Sequence, residues 1–197
     1  MCSTFLDLSN SNSGSQNFFQ DESPDIEELR VRISNVIDHI HSKGRDWEQI
    51  LSPSAWSSSI GALVNAVATR LINDVFDMQS MSVVEAENAA TVISLVEKLD
   101  ILFLPKQKND DYNGLLNNDE PIPLTASFAD KWMKMKYLCQ VLQSNLAEIQ
   151  YLWAESELSI FFTAQEVIDL IELSFENNPQ VRTQIRKIRE NPNPRRE

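Results

Sequence analysis

The sequence predicts an all-α fold, an antiparallel helical bundle of about six helices, on three observations. Only four glycines and eight prolines occur in 197 residues, so turn-forming text is sparse, and the abundant Leu, Ile, Ala, Glu and Ser suit long helices. Apolar residues recur at steps of three and four in each long segment. No run alternates with a period of two, and no Asn-Gly turn joins two strand-like runs.

Residues 1–23 are Ser, Asn, Gln and Asp with scattered Phe5, Leu6, Leu8, Phe18 and Phe19. That mixture is too polar and aperiodic to pack alone and reads as a disordered arm. The bundle is expected over 24–190. Ser23 and Pro24 form an N-cap and a first-position proline, after which Ile26, Leu29, Ile33, Val36, Ile37 and Ile40 mark a helix of about five turns that Gly44 is expected to stop. Pro53 opens a second helix striped by Trp56, Ile60, Leu63, Val64, Val67, Leu71, Val75 and Met78. Gly61 lies beside that stripe, where a missing side chain lets a neighbour come close. A capping box, Ser82 with Glu85, opens the third, whose Val92, Leu95, Val96, Leu99 and Leu102 lead to Pro105 as its end.

Residues 106–127 then read as a long irregular loop with an acidic centre. The fourth helix is expected to run unbroken over 131–153, striped by Trp132, Met135, Leu138, Cys139, Leu142, Leu146, Ile149, Leu152 and Trp153. Its other face carries Lys131, Lys134, Lys136, Gln140, Gln143, Glu148 and Gln150, and its two tryptophans are expected to fill the core. A second capping box, Thr163 with Glu166, opens a fifth helix with Val167, Leu170, Ile171 and Phe175 inward. Asn178 and Pro179 open a sixth with Val181, Ile185 and Ile188 inward, and 191–197 form a tail.

One well-cored domain fits this length. The formal charge of −12 argues against nucleic acid as a partner, because binding to a phosphate backbone rests on Lys and Arg. It disfavours anionic membranes for the same reason, and no apolar run of about 18 residues offers a membrane span. Cys2 and Cys139 are the two cysteines, too few for a disulfide framework, so a reducing, cytoplasmic setting is expected. The charge is uneven: residues 180–197 hold six basic side chains against Glu190 and Glu197.

No cofactor, metal or catalytic constellation is expected. His39 and His41 stand two apart on a helix, about 200° from one another, so they cannot share a metal or pair as base and orienter. A hydrolase built on Cys139 would need His39 or His41 brought to it by the fold. The carboxylate pairs Glu27 with Glu28, Asp110 with Asp111, and Asp119 with Glu120 are adjacent and solvated, without the buried separation that splits two pKa values. The one unusual cluster is Arg182, Arg186 and Arg189, with Lys187 beside them. The arginines recur at i, i+4 and i+7 next to Val181, Ile185 and Ile188, giving a cationic face on a terminal amphipathic helix. Favourable charge at a helix C-terminus explains it as well as docking does, and arginine forks suit carboxylates on a partner.

Three stretches in order, DWEQILSPSAWSSSIGALVNAVATRLINDV from Asp46, SFADKWMKMKYLCQVLQSNLAEIQYLWAES from Ser127 and FTAQEVIDLIELSFENNPQVRTQIRKI from Phe162, resemble the C-terminal region of the zeste-white-ten family over roughly residues 31–190. The shared features are the Trp47 and Pro53 segment ahead of the Gly61 helix, the Lys131-Trp132 pair leading to Trp153, and the Phe162–Phe175 segment before a short last helix. The resemblance implies a non-enzymatic subunit of an endoplasmic-reticulum vesicle-tethering complex in retrograde transport from the Golgi. It also implies docking onto a large α-solenoid partner of the Sec-thirty-nine, neuroblastoma-amplified or Rod type, with the fusion proteins of the endoplasmic reticulum reached indirectly. The alternative is a kinetochore and spindle-checkpoint scaffold through a Rod-type partner. The chain would then lie in the cytoplasm, peripheral on the endoplasmic reticulum or at the kinetochore. Arg182, Arg186, Lys187 and Arg189 are assigned to the docking surface by position. Family members are several times longer and begin with a coiled-coil region that pairs with a sister subunit, a region with no counterpart in these 197 residues.

Overall fold

Eight α-helices and two 3-10 segments make up the described part of the chain, with no strand among the described residues. The computed structural model describes residues 26–105, 123–192 and 194. The expected arm at 1–23, the Ser23-Pro24 start and most of the acidic loop at 106–127 lie outside them.

Helices α1 (Ile26–Glu48), α2 (Pro53–Phe76), α3 (Val83–Val96) and α4 (Trp132–Gln143) form a four-helix core. Each touches two of the others: α1 meets α2 and α3, and α4 meets the same pair from the far side. Against α4 stands a second layer of shorter helices, α5 (Leu146–Glu155), α6 (Leu158–Phe161), α7 (Ala164–Ser174) and α8 (Pro179–Glu190). There α6 packs on α4 and α5, while α8 packs on α5 and α7. The expected stripes supply the interior: Leu29, Ile33, Ile40, Ile60, Val64, Leu71, Val96, Leu99, Met135, Leu138 and Ile149 are all buried in one continuous core. Trp132 and Trp153, each 1% exposed, lie inside it as expected.

Local cap chemistry sets the helix starts. Ser52 accepts the backbone N–H of Ala55 ahead of Pro53. Ser82 with Glu85, and Thr163 with Glu166, form complete capping boxes, satisfying N–H groups that a helix start leaves orphaned.

Four expectations are corrected. The long helix over 131–153 is broken at Ser144 and Asn145, both extended. Asn145 Oδ1 accepts from the N–H groups of Ala147 and Glu148 at 3.0 and 3.1 Å, and Glu148 returns a carboxylate to Asn145 N–H at 2.8 Å. That third capping box restarts the chain as α5. With the added turn α6, the helix count rises from about six to eight.

Gly44 does not stop α1, which continues to Glu48. The Gly44 carbonyl instead accepts the Trp56 indole N–H at 2.6 Å, fastening α1 to the start of α2. The third helix leaves α geometry at Val96 and continues as a 3-10 segment, Glu97–Phe103, before Pro105. Leu104, extended at φ −65° and ψ 134°, shows the bias that a following proline imposes.

Lys134 and Lys136, expected on a wet face of the fourth helix, are partly covered and make cross-helix ion pairs. Lys134 Nζ reaches Glu166 on α7 at 2.5 Å and lies over the Phe162 ring, while Lys136 Nζ reaches Asp100 at 3.0 Å. The Lys134–Glu166 pair, with a hydrogen bond from Met81 N–H to the Leu173 carbonyl at 2.9 Å, ties the second layer to the four-helix core, whereas Lys136–Asp100 ties α4 to the 3-10 segment after α3.

Candidate partner-docking surface

Helix α8 begins at Asn178, whose side chain accepts from Gln180 and Val181 N–H, both at 2.9 Å, with Pro179 at the first helical position. Its apolar edge, Val181, Ile185 and Ile188, is buried against α5 and α7. Past its other end the Asn191 carbonyl accepts the indole N–H of buried Trp153 at 3.0 Å. The helix is therefore capped at its start and tied to α5 past its end, and its orientation leaves Arg182, Arg186, Lys187 and Arg189 exposed.

Between α7 and α8 runs an open groove of about 690 Å³, lined by Phe175, Val181, Ile185, Arg182, Arg186 and Arg189 and also by Glu172 and Asn177. Three of the four basic residues expected to act together thus share one concavity. Lys187 is exposed but does not line it. Arg186 reaches Glu190 one turn on, at 3.8 Å and with both side chains well exposed, a pair of small energetic weight. Lys187 and Arg189 fall in the last turn, where the helix dipole favours positive charge.

Phe175, the C-cap of α7 in an extended conformation, packs half-buried against the core as its inward placement predicts, and it also lines the groove. Glu172 and Asn177 drew no attention in the sequence, since only the packing of α7 on α8 brings them beside the arginines.

The residues weighed for catalysis are placed otherwise. Cys139 is buried on α4, where its Sγ stands 3.6 Å from Ser94 Oγ and 3.5 Å from the Ala90 carbonyl, both on α3. Burial pushes its thiol pKa up, against the Ser94 hydrogen bond and with the help of the Glu97 charge, which is opposite to the lowered pKa of a reactive thiolate. Neither His39 nor His41, partly exposed on α1, is among its partners.

Glu27 and Glu28 pair on the surface with Arg30 and Arg32. Asp110, Asp111, Asp119 and Glu120 lie outside the described residues. Among the described residues no group of three His, Cys, Asp or Glu is arranged to hold a metal ion, and no helix is long and apolar enough to cross a membrane.

Two carboxyls near α4 are shifted in opposite directions. Burial raises Glu97, with Lys136 opposing and Asp100 adding. Burial also acts to raise Glu166, but hydrogen bonds from Lys134 and Thr163 outweigh it and hold the group below its ordinary 4.5. Glu166 acts at the contact between α7 and α4, Glu97 at the contact between the 3-10 segment and α4, and neither lines the groove.

A family model described as the ZW10 C-terminal helical domain matches residues 31–188. The centromere/kinetochore protein zw10 homolog of Rattus norvegicus is 25% identical over 163 residues, which take in 80% of this chain and 20% of that protein. Its counterpart from Mus musculus is 24% identical over the same length. The chain spans about a fifth of the length of these curated relatives.

Proposed function

The chain belongs to the family of ZW10 C-terminal helical domains, and on that premise we propose that it is a non-enzymatic interaction subunit that docks a large helical partner within a vesicle-tethering or kinetochore assembly. The observation that carries the reading is the family match over 158 residues, 31–188, which takes in the whole second layer up to Ile188 in α8. The rigid core holds α8 at its edge, and the basic face of that helix is free to meet a partner's carboxylates. Nothing turns over in such a role; its currency is affinity and placement.

The finer assignment is retrograde transport from the Golgi to the endoplasmic reticulum, with an α-solenoid subunit of the Sec-thirty-nine or neuroblastoma-amplified kind as the partner. A kinetochore role through a Rod-type partner is the second reading, favoured by the names of the rat and mouse relatives. Both would use the same surface.

Affinity purification of the tagged chain from its own cells, with mass spectrometry of what it retains, separates the two. Co-purification of a large α-solenoid subunit with endoplasmic-reticulum fusion proteins supports the tether. Recovery of the solenoid with kinetochore components supports the alternative. Retention of no large helical subunit overturns the scaffold reading.

A further inference from the structure

We propose that the groove between α7 and α8 receives an acidic amphipathic helix, the element by which the partner of the scaffold reading engages this chain. The inference rests on that reading and adds the chemistry of the occupant. Half-buried Phe175, with the small parts of Val181 and Ile185 left uncovered, gives the groove an apolar wall, and Arg182, Arg186 and Arg189 give it a cationic one. Seven residues of helix separate the outer two arginines, about 10.5 Å of rise. Two turns of a facing helix, with carboxylates at i, i+4 and i+7, match that span.

Guanidinium forks bind carboxylates in pairs, and the apolar wall asks for aliphatic or aromatic side chains beside them. A helix suits the site better than an extended peptide. Among the described residues there is no sheet edge to extend, whereas an apolar groove between two helices is what helix-in-groove recognition uses.

Charge favours protein over lipid. The chain carries −12 overall, so an anionic membrane would be repelled by most of the surface. Glu172 in the groove lining adds to that, and suits a partner helix that carries a basic residue opposite it. The cap at Asn178 and the tie from Trp153 to Asn191 fix one wall before binding, so little ordering is left to oppose association.

The full 197-residue chain, immobilised, is to be panned against a displayed library of helical peptides, and the enriched peptides titrated in solution. Enrichment of Glu or Asp at helical spacing beside an apolar stripe is expected. Binding should weaken in high salt and fall by about ten-fold or more in R182E/R186E/R189E, since rim charges here face the partner directly. These side chains are exposed, so the triple variant should still fold, with a small fall in melting temperature from the lost Arg186–Glu190 pair and the helix-dipole charge. Phe175→Ser tests the apolar wall, and if it fails to fold the triple variant decides.

Peptides with no acidic preference, or binding unchanged by the triple reversal, would overturn the proposal. So would charge-dependent binding of phosphatidylcholine–phosphatidylserine vesicles with no peptide selected. In cells, a large α-solenoid subunit still retained by R182E/R186E/R189E would overturn the groove and leave the scaffold role standing. Loss of that subunit from the variant alone supports both.

Discussion

Replacing Gly61 with alanine should destabilise the protein, while the same change at Gly44 should not, although both glycines are buried inside helices. A Cβ at Gly61 would stand 2.5 Å from both Cβ and the carbonyl oxygen of Phe128, and 2.9 Å from its carbonyl carbon. Carbon contacts are comfortable at about 3.5 to 4.0 Å, so roughly 1 Å of movement is required. Little can move: Phe128 and Ala129 N–H are both bonded to the Thr125 carbonyl, at 3.0 and 2.9 Å, and Thr125 is buried.

Overpacking costs about 1 to 3 kcal/mol, and an obstacle made of backbone puts this site at the upper end. Alanine's helix propensity returns about 1 kcal/mol, leaving a net loss of about 2 kcal/mol. For a chain of this size that lowers the melting temperature by about 4 to 8 °C. At Gly44 the new Cβ would meet Trp56 and Leu102 at 3.6 and 3.7 Å, ordinary contact, so the propensity gain of up to about 1 kcal/mol survives. Thermal unfolding followed by far-ultraviolet circular dichroism reads both. A Gly61→Ala variant that melts at or above the parent would refute the steric argument, as would equal losses at the two sites.

Trp132→Ala and Trp153→Ala should each cost about 3 to 5 kcal/mol as buried rings are lost, and melting within a degree or so of the parent would contradict their core placement. Phenylalanine separates them further: Trp132 Nε1 has no hydrogen-bond partner, whereas Trp153 loses its bond to Asn191, so denaturant titration should find Trp153→Phe the weaker protein. Asn145→Ala should cost about 1 kcal/mol through the lost cap, and an unchanged melting point would mean that the α4–α5 break is held by packing alone. The carboxyls should differ in sign. Glu166 is depressed when folded, so its stabilisation is present above its unfolded value of 4.5 and fades as pH falls through the lower folded value. Glu166→Gln should therefore destabilise at neutral pH and converge on the parent in acid. Glu97 is raised, so the folded state loses stability as pH climbs from 4.5 through the higher folded value. Glu97→Gln should melt above the parent at neutral pH, with the gain vanishing below pH 4.5; equal shifts at all pH values would remove the electrostatic cause.

Much of the fold was legible because its signals are local. Ser52, Ser82, Thr163 and Asn178 announce helix starts through bonds to N–H groups two or three residues on, and the apolar stripes identify the buried faces. The break at Asn145 was equally local, since Asn145 and Glu148 spell a capping box. A stripe that continues through Leu142 and Leu146 hides it, because periodicity cannot distinguish one long helix from two in near register.

Gly44 misled for the opposite reason: what keeps α1 going lies on α2, where Trp56 donates to its carbonyl. The pairs Lys134–Glu166 and Lys136–Asp100 join residues 32 and 36 apart in the chain, and no spacing rule reaches that far. Of the docking surface, the arginine spacing was readable. Its apolar wall was not, because Phe175 at the end of α7 looked like one more inward residue until α8 packed beside it.

The indole of Trp153 has a mechanical consequence. On the proposed scaffold role the attachment works under tension, and the weak mode for a surface helix is to be peeled from one end. Here that end is pinned to a ring at the heart of the second layer, beside the fully buried Ile188. A pull applied through α8 is thus resisted in shear, by many contacts along α5 and α7 at once, instead of breaking them one after another. If the proposed docking role holds, the C-terminal helix is an anchor point for force as well as a patch of affinity.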